Sequence, residues 1–454
     1  MALLDELAEF IARVRFGDFP QETVGQAKLH IFDSLGALIV GASTGEARAN
    51  KDLVQEMLLP GEGAGIPVPG FNFSAPLPLA LLLSCISTRM TETDDIDIAS
   101  CTTIGSVIVP AVLLMAFAKG ATGKQLIEGA VTGYEAVGRL GAAVNGAEII
   151  YRGLWPTYLC AAVGVAAAGS QILGLEPEKI KNALAISLTL STGISGKVKT
   201  GLSSRWLTLG CAAQNGLIAC FAAAKGFAGD HAILDGYFSS AYSLDLRPEV
   251  LLAGLGEDFR IGKVNLKPFC SARQAVASIE AFSWLLRSHG IIPETIEEIE
   301  VILPKQYSQM LDGRGFPENR LSSITSMRYQ LALAAFYEED LFDVERKVLR
   351  NEEKINAFMD KVRITPDDGF TAMYPKKWPG KVMLTVGGKK FEHEVLSPRG
   401  DVDQPMTWED AEQKLKRLGR PFFDTARIMK LGDLVKGLNG MKKVDDLLHF
   451  LHGG

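Results

Sequence analysis

Four stretches of this sequence carry side chains able to move a proton or hold an anion. The first is the acidic run Glu92-Thr93-Asp94-Asp95-Ile96-Asp97, which follows an apolar segment and precedes a small-residue turn, Thr102-Thr103-Ile104-Gly105-Ser106. Carboxylates set between two buried helices can hold a cation or orient a base. They can equally be helix-capping acids facing solvent, and hard oxygen ligands without companions do not define a metal site. The second stretch, residues 191–204, is rich in Ser, Gly and Thr, holds Lys197 and Lys199, and runs into Arg205. Clustered cations attract a polyanionic substrate and lower one another's pKa, and a lysine depressed in this way works as a base near neutrality. The alternative is a solvated basic loop, the usual place for Lys and Arg. The third is Lys267-Pro268-Phe269-Cys270-Ser271-Ala272-Arg273, where Pro268 fixes a turn and two cations flank it. The fourth is a set of tyrosines, Tyr134, Tyr151 and Tyr329, which serve as acids if buried with a partner and otherwise as core aromatics.

Other chemistries lack their residues. Only six histidines occur, and apart from His449 and His452 at the C-terminal end none lies within five residues of another, so histidine metal-ligand spacing is absent and no metal is expected. Neither GxxxxGK[ST] nor a GxGxxG following a strand is present, which disfavours nucleotide binding and a dinucleotide cofactor. With 47 Lys+Arg against 53 Asp+Glu, the net charge of −6 lacks the basic surplus expected of a nucleic-acid binder.

The elements that must position these groups divide in two. Residues 1–259 read as helices. Leu4, Leu7, Phe10, Ile11 and Val14 recur at helical spacing, Ala27, Ile31, Leu35, Leu38 and Ile39 share one face, and the segment from 79 to 256 is Ala-rich with Gly-centred turns. Segments such as 161–168 are apolar nearly all round, as in helices inside a large bundle. After Phe259 the pattern changes to short alternating segments at 296–303, 362–365, 381–386 and 389–395, the last two joined at Gly387-Gly388 as a hairpin. Helices are expected between them at 273–289, 327–336 and 346–358, then again at 407–418 and 433–451. The prediction is a mainly α protein with an α+β second domain: residues 1–259 plus 396–454 as a large helical domain, and 260–395 as the smaller one. The 454 residues, 47% of them apolar, suffice for both cores. The six scattered cysteines read as free thiols. The first helix carries Asp5, Glu6 and Glu9, unlike a signal peptide, and the longest apolar stretches fall short of the roughly 20 residues of a membrane span. A cytoplasmic protein without a membrane or nucleic-acid partner is expected.

Taken in order, these stretches resemble the MmgE/PrpD family. The marks are Ile31-Phe32-Asp33-Ser34-Leu35-Gly36, the acidic run before Gly105-Ser106 and Pro110-Ala111, and Gly133-Tyr134-Glu135 with Arg139-Leu140-Gly141. They continue with Trp155-Pro156-Thr157, Leu173-Gly174-Leu175, Gly210, Asn215-Gly216, Gly226-Phe227, Lys267-Pro268-Phe269 and Ser397-Pro398-Arg399-Gly400-Asp401. The resemblance implies a large helical domain, a smaller α+β domain, a homodimer, and a site between the domains for a small polycarboxylate. Members include 2-methylcitrate dehydratases, cis-aconitate decarboxylases and iminodisuccinate epimerases.

The chain departs from the lyase pattern in its imidazoles. Thr103 and Trp155 stand where lyase members look like HPG or HPS and HPT, Ser204-Arg205-Trp206-Leu207-Thr208 stands for "TK.LH", and a histidine near Arg273 is missing. That pattern resembles the epimerase branch, since epimerisation needs only removal of a proton beside a carboxylate and its return on the opposite face, with cations neutralising the developing charge. The expectation is therefore a cofactor-independent epimerase of iminodisuccinate or a related aminopolycarboxylate. Lys199 or Lys197 would be one base and Tyr151 or Tyr134 the opposing acid/base. Asp94, Thr103, Arg152, Trp155, Arg205, Lys267, Arg273 and Tyr329 would bind substrate. The alternatives are a 2-methylcitrate dehydratase or cis-aconitate decarboxylase-like lyase, with Asp94 and Arg205 leading, and a polycarboxylate-binding protein that has lost catalysis.

Overall fold

The computed structural model describes residues 3–58, 65–195 and 203–453. Its contacts divide into two compact units, one of residues up to 264 together with 419–453, the other of residues 265–418.

The first unit is helical, and its order follows the apolar periodicity. The helices are α1 (Leu3–Arg13), α2 (Gln21–Ala42), α3 (Ala47–Glu56), α4 (Leu77–Met90), α5 (Gly105–Lys119), α6 (Gly123–Ala143), α7 (Gly146–Ile149), α8 (Pro156–Leu173), α9 (Pro177–Thr189) and α10 (Ser204–Ala224). A two-residue antiparallel ribbon, β1 (Ile66–Pro67) with β2 (Ser74–Ala75), precedes α4. Thr122 and Gln125 start α6 with a reciprocal capping box, and Pro156 opens α8, which closes on left-handed Gly174. At the centre α8 packs against α5, α6, α9 and α10.

Both α8 and α10 are long and apolar enough to cross a membrane by length and composition, which corrects the expectation that no stretch is. In α8 the apolarity is that of a helix enclosed by four neighbours, with 89% of its residues buried. Small residues allow the close approach. A Cβ on Gly216 of α10 would lie 2.3 Å from the backbone oxygen of Ala162 and 2.7 Å from Val165 Cβ. Gly216→Ala is therefore expected to destabilise the protein by about 1–3 kcal/mol, a fall in melting temperature that Gly25→Ala, at an open helical position, would not reproduce.

The second unit holds a mixed four-stranded sheet in the order β4-β3-β5-β6, from β3 (Ile296–Pro304), β4 (Val362–Asp367), β5 (Gly380–Val386) and β6 (Lys389–Val395). The Gly387-Gly388 hairpin forms as expected, pairing Val386 with Lys389. The parallel pairing of β3 with β4 was not legible, because its partners are joined through a long crossover. Helices Arg273–His289 and Met327–Phe336 fall where the periodicity places them. The helix expected over 346–358 forms only at Glu353–Asp360, because Arg346 is buried in the preceding loop, donating to Ser323 Oγ and the Cys270 carbonyl. The expected 433–451 helix is two, Thr425–Lys436 and Asp445–Leu451, broken at the Leu438–Gly440 turn. The helix Trp408–Gly419 belongs with the second unit up to Leu418: Arg417 lies 3.5 Å over the Phe342 ring and pairs with Glu339.

Candidate active site

The acidic run is not a solvated cap. Glu92, Asp94, Asp95 and Asp97 are all buried, and the turn from 92 to 105 is held by groups from the surrounding helices of the first unit. From the end of α4, Arg89 Nη1 reaches Glu92 Oε2 at 2.6 Å and Asp94 Oδ1 at 3.2 Å, and Arg89 itself is buried. Burial works against the guanidinium charge, but Asp94 and Glu92 together raise its pKa above the ordinary value. Asp95 takes the His30 ring from α2, the Tyr134 hydroxyl from α6 and the first N–H of α5. Asp97 is held by Arg260 through two hydrogen bonds, at 2.7 and 2.8 Å. Thr103 donates its N–H to Thr157 Oγ1, in the first turn of α8, at 3.0 Å.

Two non-glycine residues of this turn sit in the left-handed region, Glu92 at φ 57° and Cys101 at φ 53°. Each costs on the order of 1–3 kcal/mol and persists only where the surroundings over-determine it, a condition that clusters at functional sites.

Beside this turn lies a cationic and aromatic pair. The Arg205 guanidinium stands 4.4 Å over the Trp155 ring, and Trp155 stacks on Tyr158 with centroids 5.7 Å apart. The Tyr158 hydroxyl donates to the Arg205 carbonyl at 2.8 Å. Burial raises the Tyr158 pKa, with Arg205 and then Arg89 pulling the other way. Tyr158 thus feels both guanidiniums and remains a protonated phenol, a donor rather than a base. Asp94, Thr103, Trp155 and Arg205 all belong to this region of the helical unit.

The other expected residues have surroundings of their own. Tyr134 is completely buried and donates to Asp95, with its pKa raised first by burial and then by that charge, so it is a fixed donor. Tyr151 sits in the short turn Ile150–Arg152, and Arg152 is exposed, donating to the Ser243 carbonyl at 2.9 Å. Lys197 and Lys199 lie outside the described residues. In the second unit, Lys267 and Arg273 are buried, and Arg273 pairs with Asp401 beneath the face of Trp378 at 5.8 Å. Burial raises the Asp401 pKa while Arg273 opposes it. Tyr329 is buried there too, its hydroxyl accepting the Arg350 N–H at 2.7 Å.

A family model for the MmgE/PrpD N-terminal domain matches residues 5–244, and one for the MmgE/PrpD C-terminal domain matches residues 269–436. The chain belongs to the MmgE/PrpD family. Among its relatives, a cis-aconitate decarboxylase-like protein of Aspergillus oryzae is 23% identical over 475 residues, covering 99% of this chain and 97% of its own. A cis-aconitate decarboxylase of Aspergillus terreus is 23% identical, covering 98% of this chain and 95% of its own. The human cis-aconitate decarboxylase is 22% identical, covering 100% of this chain and 95% of its own. Against the MmgE/PrpD resemblance, the residues that the sequence did not single out are His30, Arg89, Tyr158 and Arg260. His30 directly precedes the mark at 31–36, and Tyr158 follows Trp155 by one step along the stack, so position was the available signal. Among the described residues no group of three or more His, Cys, Asp or Glu side chains is placed to hold a metal ion.

Proposed function

We propose that this MmgE/PrpD protein is a lyase acting on a small tricarboxylate, of the decarboxylase or dehydratase type. The observation that carries the proposal is the Tyr158 phenol, buried against the Trp155 ring with its hydroxyl 2.8 Å from the Arg205 carbonyl and kept protonated by that burial. End-to-end similarity to cis-aconitate decarboxylases supports the same class. In decarboxylation the carbon–carbon bond to one carboxylate breaks, the electron pair stays on carbon, and a proton must replace the departing CO₂. Burial keeps Tyr158 in the protonated state such a donor requires. Arg205, on the face of Trp155, is suited to a retained carboxylate, holding the substrate while charge develops. In this assignment no lysine base is needed, so Lys197 and Lys199 take no named step.

Thr103 and Trp155 favour a second reading, the epimerase. Neither side chain titrates near neutrality, and the lyase pattern carries histidines there. Proton NMR of cis-aconitate, 2-methylcitrate and iminodisuccinate stereoisomers in D₂O separates the two. Loss of a carboxyl group or of water from a tricarboxylate supports the lyase. Deuterium at the α carbon of iminodisuccinate with interconversion of its isomers, and no tricarboxylate turnover, selects the epimerase. No change in any of them overturns both.

A further inference from the structure

One carboxylate of the helical unit is saturated by donors from three helices. Asp95 Oδ2 accepts from His30 Nδ1 at 2.8 Å and from the Tyr134 hydroxyl at 2.5 Å, while Oδ1 accepts the Gly105 N–H at 2.7 Å. His30, Asp95 and Tyr134 are each 1% exposed or less, and Gly105 is buried. With the His30 proton placed on Nδ1, all three groups donate to this carboxylate. The junction has no slack: a Cβ on Gly105 would lie 2.2 Å from Ser34 Oγ, 2.8 Å from the Tyr134 oxygen and 2.9 Å from Asp95 Oδ2.

Asp95 is the chain neighbour of Asp94, and Gly105 comes two residues after Thr103. The turn between them includes strained Cys101 and begins beside strained Glu92. We infer that His30, Asp95 and Tyr134 form a positioning network that fixes this turn, and through it Asp94 and Thr103, for the reaction proposed above. It rests on that functional reading but touches no substrate, because its groups are buried behind the turn. A buried acid of a purely structural kind needs partners too, so the network is distinguished by what its loss does to turnover. A displacement of about 1 Å at a reacting group costs on the order of 100-fold in rate.

The test compares Tyr134→Phe, His30→Leu and His30→Asn in the full chain. The asparagine amide can reproduce the donor of imidazole Nδ1. Amide hydrogen exchange over residues 91–106 in ligand-free protein reads the clamp alone. Turnover of the tricarboxylate on which wild type is active reads its consequence. Tyr134→Phe and His30→Leu are expected to speed exchange in 91–106 roughly tenfold while the rest of the bundle is unchanged. Turnover number should fall about 10- to 100-fold with KM moving less than about threefold, and His30→Asn should recover much of both effects. Unchanged exchange in all three variants overturns the network, as does a turnover loss that merely tracks the unfolded fraction. Faster exchange in 91–106 together with a wild type inactive on every tricarboxylate supports the clamp and overturns the function it was assigned to serve.

Discussion

Replacing Arg89 with methionine is expected to destabilise the helical unit by about 3–5 kcal/mol, the penalty for leaving a buried charge uncompensated. The reason lies in the composition of the pocket. Arg89, Glu92 and Asp94 are each at most 5% exposed, and a single guanidinium nitrogen serves both carboxylates. Methionine fills the volume of the stem, so the loss measured is electrostatic and not a cavity. Adding Glu92→Gln should restore part of the stability, since it removes one of the two orphaned charges, and the double-mutant cycle measures their coupling. Denaturant unfolding gives the answer. A loss below about 1 kcal/mol, the scale of an exposed ion pair, would mean that water reaches the cluster.

The second large effect is on catalysis. Arg205→Met and Tyr158→Phe are each expected to lower kcat/KM by about 100- to 1,000-fold, the cost of removing one preorganised donor from a developing negative charge. Melting temperature should barely move for Tyr158→Phe, because the ring keeps its stack on Trp155. Arg205→Lys should recover little. The planar guanidinium lies on the Trp155 face at 4.4 Å, and a compact ammonium matches neither that stacking nor a bidentate carboxylate. Steady-state kinetics on a tricarboxylate decide it, and retention of full kcat/KM by Tyr158→Phe would remove the phenol as the proton source.

Secondary structure was legible where one periodicity dominates. The helices Arg273–His289 and Met327–Phe336 and the hairpin at Gly387-Gly388 need only local pattern and turn chemistry. What depended on a single buried cation was not legible, as at Arg346, whose partners Ser323 and Cys270 are distant in sequence and which keeps residues 346–352 out of the helix. The site divides the same way. The acidic run and Arg205 stand out by residue type, whereas Arg89 and His30 read as ordinary members of apolar helices until the fold places Glu92 and Asp95 against them. The poverty in imidazole pointed to epimerase chemistry. Relatives named as decarboxylases, and a buried phenol that stays protonated, support a lyase that takes its proton from Tyr158.

The most direct measurement follows the carboxyl carbons of uniformly ¹³C-labelled cis-aconitate by NMR, with wild type and Tyr158→Phe at equal concentration. The account predicts that wild type releases one carbon as labelled bicarbonate, or adds water across the double bond, and that Tyr158→Phe does so far more slowly. Unaltered cis-aconitate beside wild-type protein that racemises iminodisuccinate would contradict it.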